Sequence, residues 1–455
     1  MARSSFSKFL ASHYFTVLAE ATDNYVLHDS NTSLIFNLKK VIPYSSPTSN
    51  FVFDTVMESL DTSGISTLSR LSCELNLEET SPQLVIHGIM PFVEKENADL
   101  RILCDDLVPL LSREDYEKTA EEIVKDLDSH AMSSPRRLDL DGITSKLGLQ
   151  VRQAGIAEDA SIFGQFFFHA CEVELINLET GIKEYFAIPV GTILIDPRCE
   201  KGRSIVSVNQ TLAHEIVHYL LHRNAAALMR LESASNQPQI ACRVANYNIP
   251  NRCRTTQDWV EKQATALAPR LLMPKCTFEP YIRRLMAEEQ ALHPEINMID
   301  LMPAVIDKAS EVYSVSRQSC TIRCKEVGID EALGVNDFID NSYVKSYHYR
   351  KDALKAGETY SIVQCDATAL AISNQELSDK LATGSFVYVD SHYVINDPRF
   401  ITTASGVPQM TDYGRFHADL CCLKFKRVFK SGNTDTLYFP FYSKAKRNET
   451  RYVYE

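Results

Sequence analysis

The pentapeptide His214-Glu-Ile-Val-His218 constrains this 455-residue chain more than any other feature. Apolar residues recur around it with helical spacing, and neither glycine nor proline interrupts the run from Val208 to His222, so the segment is predicted to be a helix. Positions i and i+4 share a helix face, so His214 and His218 can offer two imidazole nitrogens to one metal ion. Glu215 points to an adjacent side, where a carboxylate can take a proton from water.

Zinc is the metal that this pattern favours. It accepts imidazole ligands, polarises carbonyl groups and lowers the pKa of a bound water toward neutrality. The two histidines also fit an amphipathic helix on which they are ordinary polar-face residues. Glu215 favours the catalytic interpretation, because a structural zinc site has no use for a base at that position.

An open catalytic zinc site needs a third protein ligand, and Glu261 is the candidate. In the segment Asp258–Pro274, taken as a helix, residues 261, 264, 268 and 271 share one face that reads Glu, Ala, Ala, Leu. A carboxylate followed by small residues lets a second helix approach closely. The spacing predicts, equally well, a capping box with Asp258 as N-cap and Glu261 as its N3 partner. The two roles of Glu261 are compatible.

His222 is a competing third ligand, one turn beyond His218. However, helix positions i, i+4 and i+8 rotate and rise progressively away from a common centre. A compact site that uses three histidines of one helix is therefore not expected.

Together these segments resemble the ImmA/IrrE family of metallo-endopeptidases. His214-Glu-x-x-His218 is followed by Glu261-x-x-Ala264-x-x-x-Ala268-x-x-Leu-Leu-Met-Pro274, while Leu138–Leu149 resembles the short helix before the family's sheet and Val312–Gly328 resembles its helical tail. The resemblance covers roughly residues 113–330. It implies a zincin-like fold and one zinc ion per chain, with His214, His218 and Glu261 as ligands and Glu215 as general base. It also implies a protein substrate, typically a helix-turn-helix transcriptional repressor.

The length of the chain predicts more than one domain. We expect an α+β protein in three parts: an N-terminal α+β accessory region (1–110), a zincin-like metallopeptidase domain with a small sheet and active-site helices (111–333), and a mostly β C-terminal domain (334–455). Residues 161–197 are predicted to form strands around a turn at 179–181. Gly191–Ile195 is the candidate edge strand that binds an extended peptide, although an ordinary hairpin fits this segment equally well.

The composition bears on the location and partners of the chain. A formal charge of −12 argues against DNA binding by the whole chain. Twelve scattered cysteines argue against a secreted disulfide scaffold. Met1–Ala21 weakly resembles a signal peptide, but Ser12 and His13 interrupt its apolar stretch, which favours an amphipathic helix. No run is long enough to span a membrane. We expect a cytoplasmic protein with a protein or peptide substrate and no direct contact with nucleic acid.

A second class of function stays open. In it the chain is a regulatory DNA- or protein-binding module with a structural or vestigial zinc site, and Val312–Gly328 is its recognition helix. Arg317, Arg323 and Lys325 supply positive charge there, and acidic neighbours offset it. A second metal site from His392, His417, Cys421 and Cys422 is not favoured, because their spacing matches no zinc pattern.

Overall fold

A computed structural model describes residues 5–26, 34–44, 50–77, 79, 82–93, 103–158, 162–200, 206–232, 255–339, 342–355, 357–403, 406–429 and 450–454. Within these ranges the chain is a mixture of helices and strands. It divides into two compact units, the first made of Met1–Lys118, Leu140–Arg203 and Thr211–Ala268, and the second of Thr119–Asp139, Ser204–Gln210 and Pro269–Glu455. The division into three consecutive domains stays a prediction.

The helices, in chain order, are α1 (Phe6–His13), α2 (Phe15–Val26), α3 (Arg113–Leu127), α4 (Leu140–Lys146), α5 (Val206–Leu221), α6 (Arg223–Glu232), α7 (Thr256–Leu272), α8 (Lys275–Leu292), α9 (Met298–Tyr313), α10 (Arg317–Glu326), α11 (Gln364–Ser373), α12 (Gln375–Ala382), α13 (Asp412–Phe416) and α14 (Ala418–Cys421). The strands are β1 (Ile35–Pro43), β2 (Asn50–Leu60), β3 (Ser66–Asn76), β4 (Val85–Pro91), β5 (Gln150–Gln153), β6 (Gly164–Phe167), β7 (Cys171–Ile176), β8 (Lys183–Ile188), β9 (Thr192–Ile195), β10 (Phe338–Ile339), β11 (Ser342–Tyr343), β12 (Glu358–Thr359), β13 (Phe386–Val389), β14 (His392–Ile395), β15 (Ile401–Thr402), β16 (Gln409–Met410), β17 (Phe425–Phe429) and β18 (Thr450–Val453).

The first unit begins with two helices and an antiparallel meander in the order β1-β2-β3-β4. Alternate residues of β2 face the helices, and Phe6 of α1 packs edge-on against Phe51 and Phe53 at ring-centroid distances of 5.3 and 4.9 Å. Leu228 of α6 and Val260 of α7 belong to the same core. The N-terminal sheet therefore packs directly on two helices that flank the predicted site.

A three-stranded sheet, in the order β5-β9-β6, precedes the predicted active-site helix. β9 pairs with β5 in parallel and with β6 antiparallel, so both of its edges are hydrogen-bonded. The prediction that Gly191–Ile195 is an edge strand is therefore wrong. Its short, fully buried apolar run is typical of a central strand, and only the pairing reveals which neighbours it has.

Helices α8, α9 and α10 lie in the second unit. Asn297 and Ser316 cap α9 and α10 by accepting hydrogen bonds from the backbone N–H groups of Ile299 and Ser319, each at 3.0 Å. α9 ends at Ser314, which adopts a left-handed conformation with φ of 52°. The predicted helical tail is thus the end of one helix, a short turn and a second helix.

The described residues of 334–455 combine four helices with nine short strands, so the prediction of a mostly β region is not confirmed. β13 and β14 form an antiparallel hairpin, with Phe386 opposite Ile395 and Val389 opposite His392. Helices α11 and α12 are the unexpected elements. Asn374 caps α12, its side-chain oxygen accepting a hydrogen bond from the Leu377 N–H at 3.0 Å. Asparagine is a preferred N-cap residue, so this helix start has a local cause.

Among the helices in the described part of the chain, none combines the length and the apolarity that a membrane crossing requires.

Candidate metal centre

The helix predicted around the pentapeptide is α5, and it presents both histidines on one buried face. The Nε2 atoms of His214 and His218 are 2.9 Å apart, and their ring centroids are separated by 4.7 Å. Two imidazole nitrogens therefore converge on one point, as the i, i+4 spacing predicts.

Glu261, on α7, joins the two histidines. Its Oε2 lies 3.3 Å from Nε2 of His214, and its Oε1 lies 3.8 Å from Nε2 of His218. All three side chains are buried, and one ligand atom from each lies within 4.8 Å of the others. Ala264 and Ala268, on the same face of α7, are fully buried, as is expected where small side chains allow close helix packing.

The capping box at the start of α7 does not involve Glu261. Thr255 Oγ1 accepts from Asp258 N–H at 3.1 Å, and Asp258 Oδ2 accepts from Thr255 N–H at 2.9 Å. Thr255 is thus the N-cap and Asp258 its N3 partner, so the placement of Asp258 at the N-cap and Glu261 at N3 is wrong. The predicted N-cap lies three residues too far along the chain, because α7 begins at Thr256 and the hydroxyl of Thr255 caps its first turn. Glu261 is left without a capping role.

The donor set fits a zinc ion. Ligands at about 2.0–2.2 Å in a tetrahedral arrangement lie about 3.3–3.6 Å from one another. The Nε2 atoms of His214 and His218 are 2.9 Å apart, and each lies 3.3–3.8 Å from one of the two oxygens of Glu261, which is close to that spacing. In addition, Oε1 of Glu261 is buried without a hydrogen bond within the described ranges, an arrangement that a cation would satisfy.

Glu215 is fully buried beside this cluster, and neither of its oxygens makes a hydrogen bond of ordinary geometry to a described residue. Burial raises the pKa of its carboxyl well above the usual value, the charge of Glu261 adds to the rise, and the backbone of Phe166 opposes it. A carboxyl with a raised pKa is suited to accept a proton and give it back near neutral pH.

Gly164 lets strand β6 approach Glu215 closely. A Cβ at this position would lie 2.4 Å from Cγ2 of Thr211, on α5, and 3.2 Å from Oε1 of Glu215. Sequence reasoning missed this residue. The available signal was a glycine at the start of an aromatic strand, which often marks a close approach of backbone to another group.

His222 lies outside the ligand cluster, as expected from its position one turn beyond His218. Its Nδ1 faces Nδ1 of His218 at 3.0 Å, on the side of that ring away from His214 and Glu261. Burial, with His214 and His222 nearby, lowers the pKa of His218 well below its usual value, and burial lowers the pKa of His222 to about 3. Both rings are therefore neutral at pH 7, and neutral imidazole is the form that binds metal.

The basic residues of the predicted recognition helix are engaged within their own unit. Arg323 is fully buried, donating from Nε to the carbonyl oxygen of Met273 at 3.0 Å and pairing with Glu326 at 3.2 Å. Arg317 pairs with Asp307. Arg323 is therefore inaccessible to DNA phosphates and Arg317 has an acidic partner at the surface, which disfavours a recognition helix here.

These features define a buried cluster of two histidines and one glutamate that could hold a metal ion, with a second buried carboxyl beside it. Residues 185–325 match the model of the peptidase M78 family, described as an IrrE N-terminal-like domain. The match includes α5 and α7, confirms the predicted resemblance over this segment, and indicates a metallopeptidase-like function for it. Comparison with curated proteins found no match.

Proposed function

We propose that the chain is a zinc-dependent endopeptidase that hydrolyses a peptide bond in a protein substrate. The observation that carries the proposal is the buried triangle of His214, His218 and Glu261 with the buried carboxyl of Glu215 beside it. The family match over 185–325 supports it. A structural site would have no use for a second buried carboxyl at this position.

His214, His218 and Glu261 would hold the metal. A bound zinc ion supplies Lewis-acid polarisation of the scissile carbonyl and lowers the pKa of water. Glu215 accepts a proton from the attacking water and returns it to the departing amine, so it ends each cycle in the state in which it began.

Strand β6 is the edge to which we assign the substrate peptide. Phe163 and Phe167 carbonyls accept from Asp196 and Gly191 N–H at 3.0 and 2.9 Å, on the side toward β9. Backbone groups alternate between the two edges of a strand, so those of Gly164 and Phe166 point away from β9. An extended peptide that pairs along this edge would pass next to Glu215.

The class of substrate rests on the family resemblance. We propose a helix-turn-helix transcriptional repressor, whose cleavage would relieve repression of its target genes.

The test compares zinc-loaded wild type with Glu215→Gln on a candidate repressor and on a whole proteome, with new protein amino termini identified by mass spectrometry. Glu215→Gln keeps the zinc and the side-chain volume, and it should lower turnover roughly 10²–10⁴-fold, the usual contribution of a general base. Cleavage that continues at the wild-type rate in Glu215→Gln would refute the mechanism.

A further inference from the structure

A chain of hydrogen-bonding groups leads from the metal ligand His218 into the protein. Nδ1 of His218 lies 3.0 Å from Nδ1 of His222, whose Nε2 lies 3.1 Å from Oε1 of Gln263. Nε2 of Gln263 then donates to the carbonyl oxygen of Pro109 at 2.6 Å. His218, His222 and Gln263 are each almost completely buried, so water does not compete for these contacts.

The Pro109 carbonyl, the last group of this series, determines which atom donates and which accepts in each of its hydrogen bonds. A carbonyl oxygen only accepts, so the amide NH₂ of Gln263 faces Pro109 and its Oε1 faces His222. His222 must then donate from Nε2, and a neutral imidazole that donates at one nitrogen accepts at the other. Nδ1 of His222 therefore accepts from Nδ1 of His218. This leaves the lone pair of His218 on Nε2, the atom that faces His214 and Glu261.

We propose that His222 and Gln263 are positioning residues that hold His218 as its Nδ1–H tautomer, with the Nε2 lone pair directed at the metal site. This inference rests on the proposed function, because it assigns the two residues a role toward zinc. Partners of this kind fix the orientation of a ligating imidazole and raise its basicity.

The same network connects the N-terminal region to the site. Gln263 and Thr256 lie seven residues apart on one face of α7, and Thr256 Oγ1 lies 3.3 Å from Oδ2 of Asp106. Residues 106–109 therefore contact α7 at two points, one of which ends the hydrogen-bond chain. Because α7 also carries Glu261, one short segment supports both the carboxylate ligand and the tautomer of His218.

The experiment uses the full chain with zinc as the probe. In ¹⁵N-histidine-labelled, zinc-bound wild type, two-bond ¹H–¹⁵N spectra should show His218 protonated at Nδ1 and His222 protonated at Nε2. His222→Phe keeps a buried ring but removes the acceptor, and it should weaken zinc binding roughly 10–100-fold in a chelator competition. His222→Gln restores an acceptor and should recover most of the affinity.

His392→Phe is the matched control, because His392 is a buried histidine in the other unit that packs edge-on against Tyr347. It should leave zinc affinity unchanged. A wild-type spectrum with His222 protonated at Nδ1, or a folded His222→Phe with wild-type zinc affinity, overturns the positioning role alone. A wild type that binds no zinc overturns the proposed function as well. If His222→Phe does not fold, the wild-type spectrum alone tests the positioning role, because it reports which nitrogens of His218 and His222 are protonated.

Discussion

Helices α5 and α7 both supply the candidate metal centre, but different physical constraints place their ligands. His214 and His218 are one turn apart on α5, so any stable helix brings their rings to the same face. Glu261 is on a helix that begins far along the chain, and nothing in its local sequence directs it to the histidines. A short motif can specify a pair of ligands, whereas the third depends on how two helices pack.

Several contacts hold α7 in place. Thr255 caps its first turn. Two further residues of the helix, Thr256 and Gln263, form hydrogen bonds with residues 106–109. Ala264 and Ala268 are buried on the face that bears Glu261. None of these residues is itself a candidate ligand. The third ligand is therefore sensitive to changes in its supporting residues, and the α5 pair much less so.

The largest expected effect tests the local pair. Wild type should retain one zinc per chain after dialysis, and His214→Ala or His218→Ala should retain none, because a site with one imidazole and one carboxylate binds zinc weakly. Elemental analysis measures the content, with His392→Phe as the control. Full zinc content in both alanine variants would exclude the site.

Glu261→Gln tests the ligand that packing provides. The amide is a much weaker ligand, so zinc affinity should fall by at least roughly 10–100-fold, the loss typical of changes to outer-shell partners alone. The melting temperature of the metal-free protein should be nearly unchanged, because Gln has the size of Glu and Glu261 has no capping role. Unchanged affinity in a chelator competition would remove Glu261 from the ligand set.

Gly164→Ala tests the close approach of β6 to α5. The added methyl would overlap Cγ2 of Thr211, so we expect a loss of about 1–3 kcal/mol in unfolding free energy and lower turnover with zinc retained. Thr211→Ser removes that methyl and should rescue part of both losses. Gly88→Ala is the matched control, since a Cβ there meets no atom within 4 Å. Equal effects at the two glycines would contradict the tight contact.

The smallest expected effect concerns the cap of α7. Thr255→Ala should lower the free energy of unfolding by about 1 kcal/mol, with little change in zinc affinity. Denaturant unfolding of the metal-free protein and the same chelator competition measure the two quantities. A large loss of zinc affinity without a loss of stability would show that the cap positions Glu261 directly, and that α7 is less firmly held by its other contacts than the structure indicates.

Some of the site could be predicted because it depends on local periodicity. Helical spacing determined that His214 and His218 share a face and that Glu215 is displaced to an adjacent one, and it placed Glu261, Ala264 and Ala268 on a single face of α7. These features require only the geometry of one helix.

Tertiary structure decided the rest. The sequence of Gly191–Ile195 is compatible with a central or an edge strand, and only its pairing with β5 and β6 shows that it is central and that those two strands are the outer ones of this sheet. Likewise, the spacing of Asp258 and Glu261 fitted a capping box, but in the folded chain Thr255 and Asp258 form that box. The hydrogen bond between Gln263 and Pro109 could not be predicted from the sequence, because a buried contact between distant residues produces no periodic pattern. The sequence determined which groups can bind a metal, and packing decided which of them meet, because convergence of distant side chains is a property of the folded chain alone.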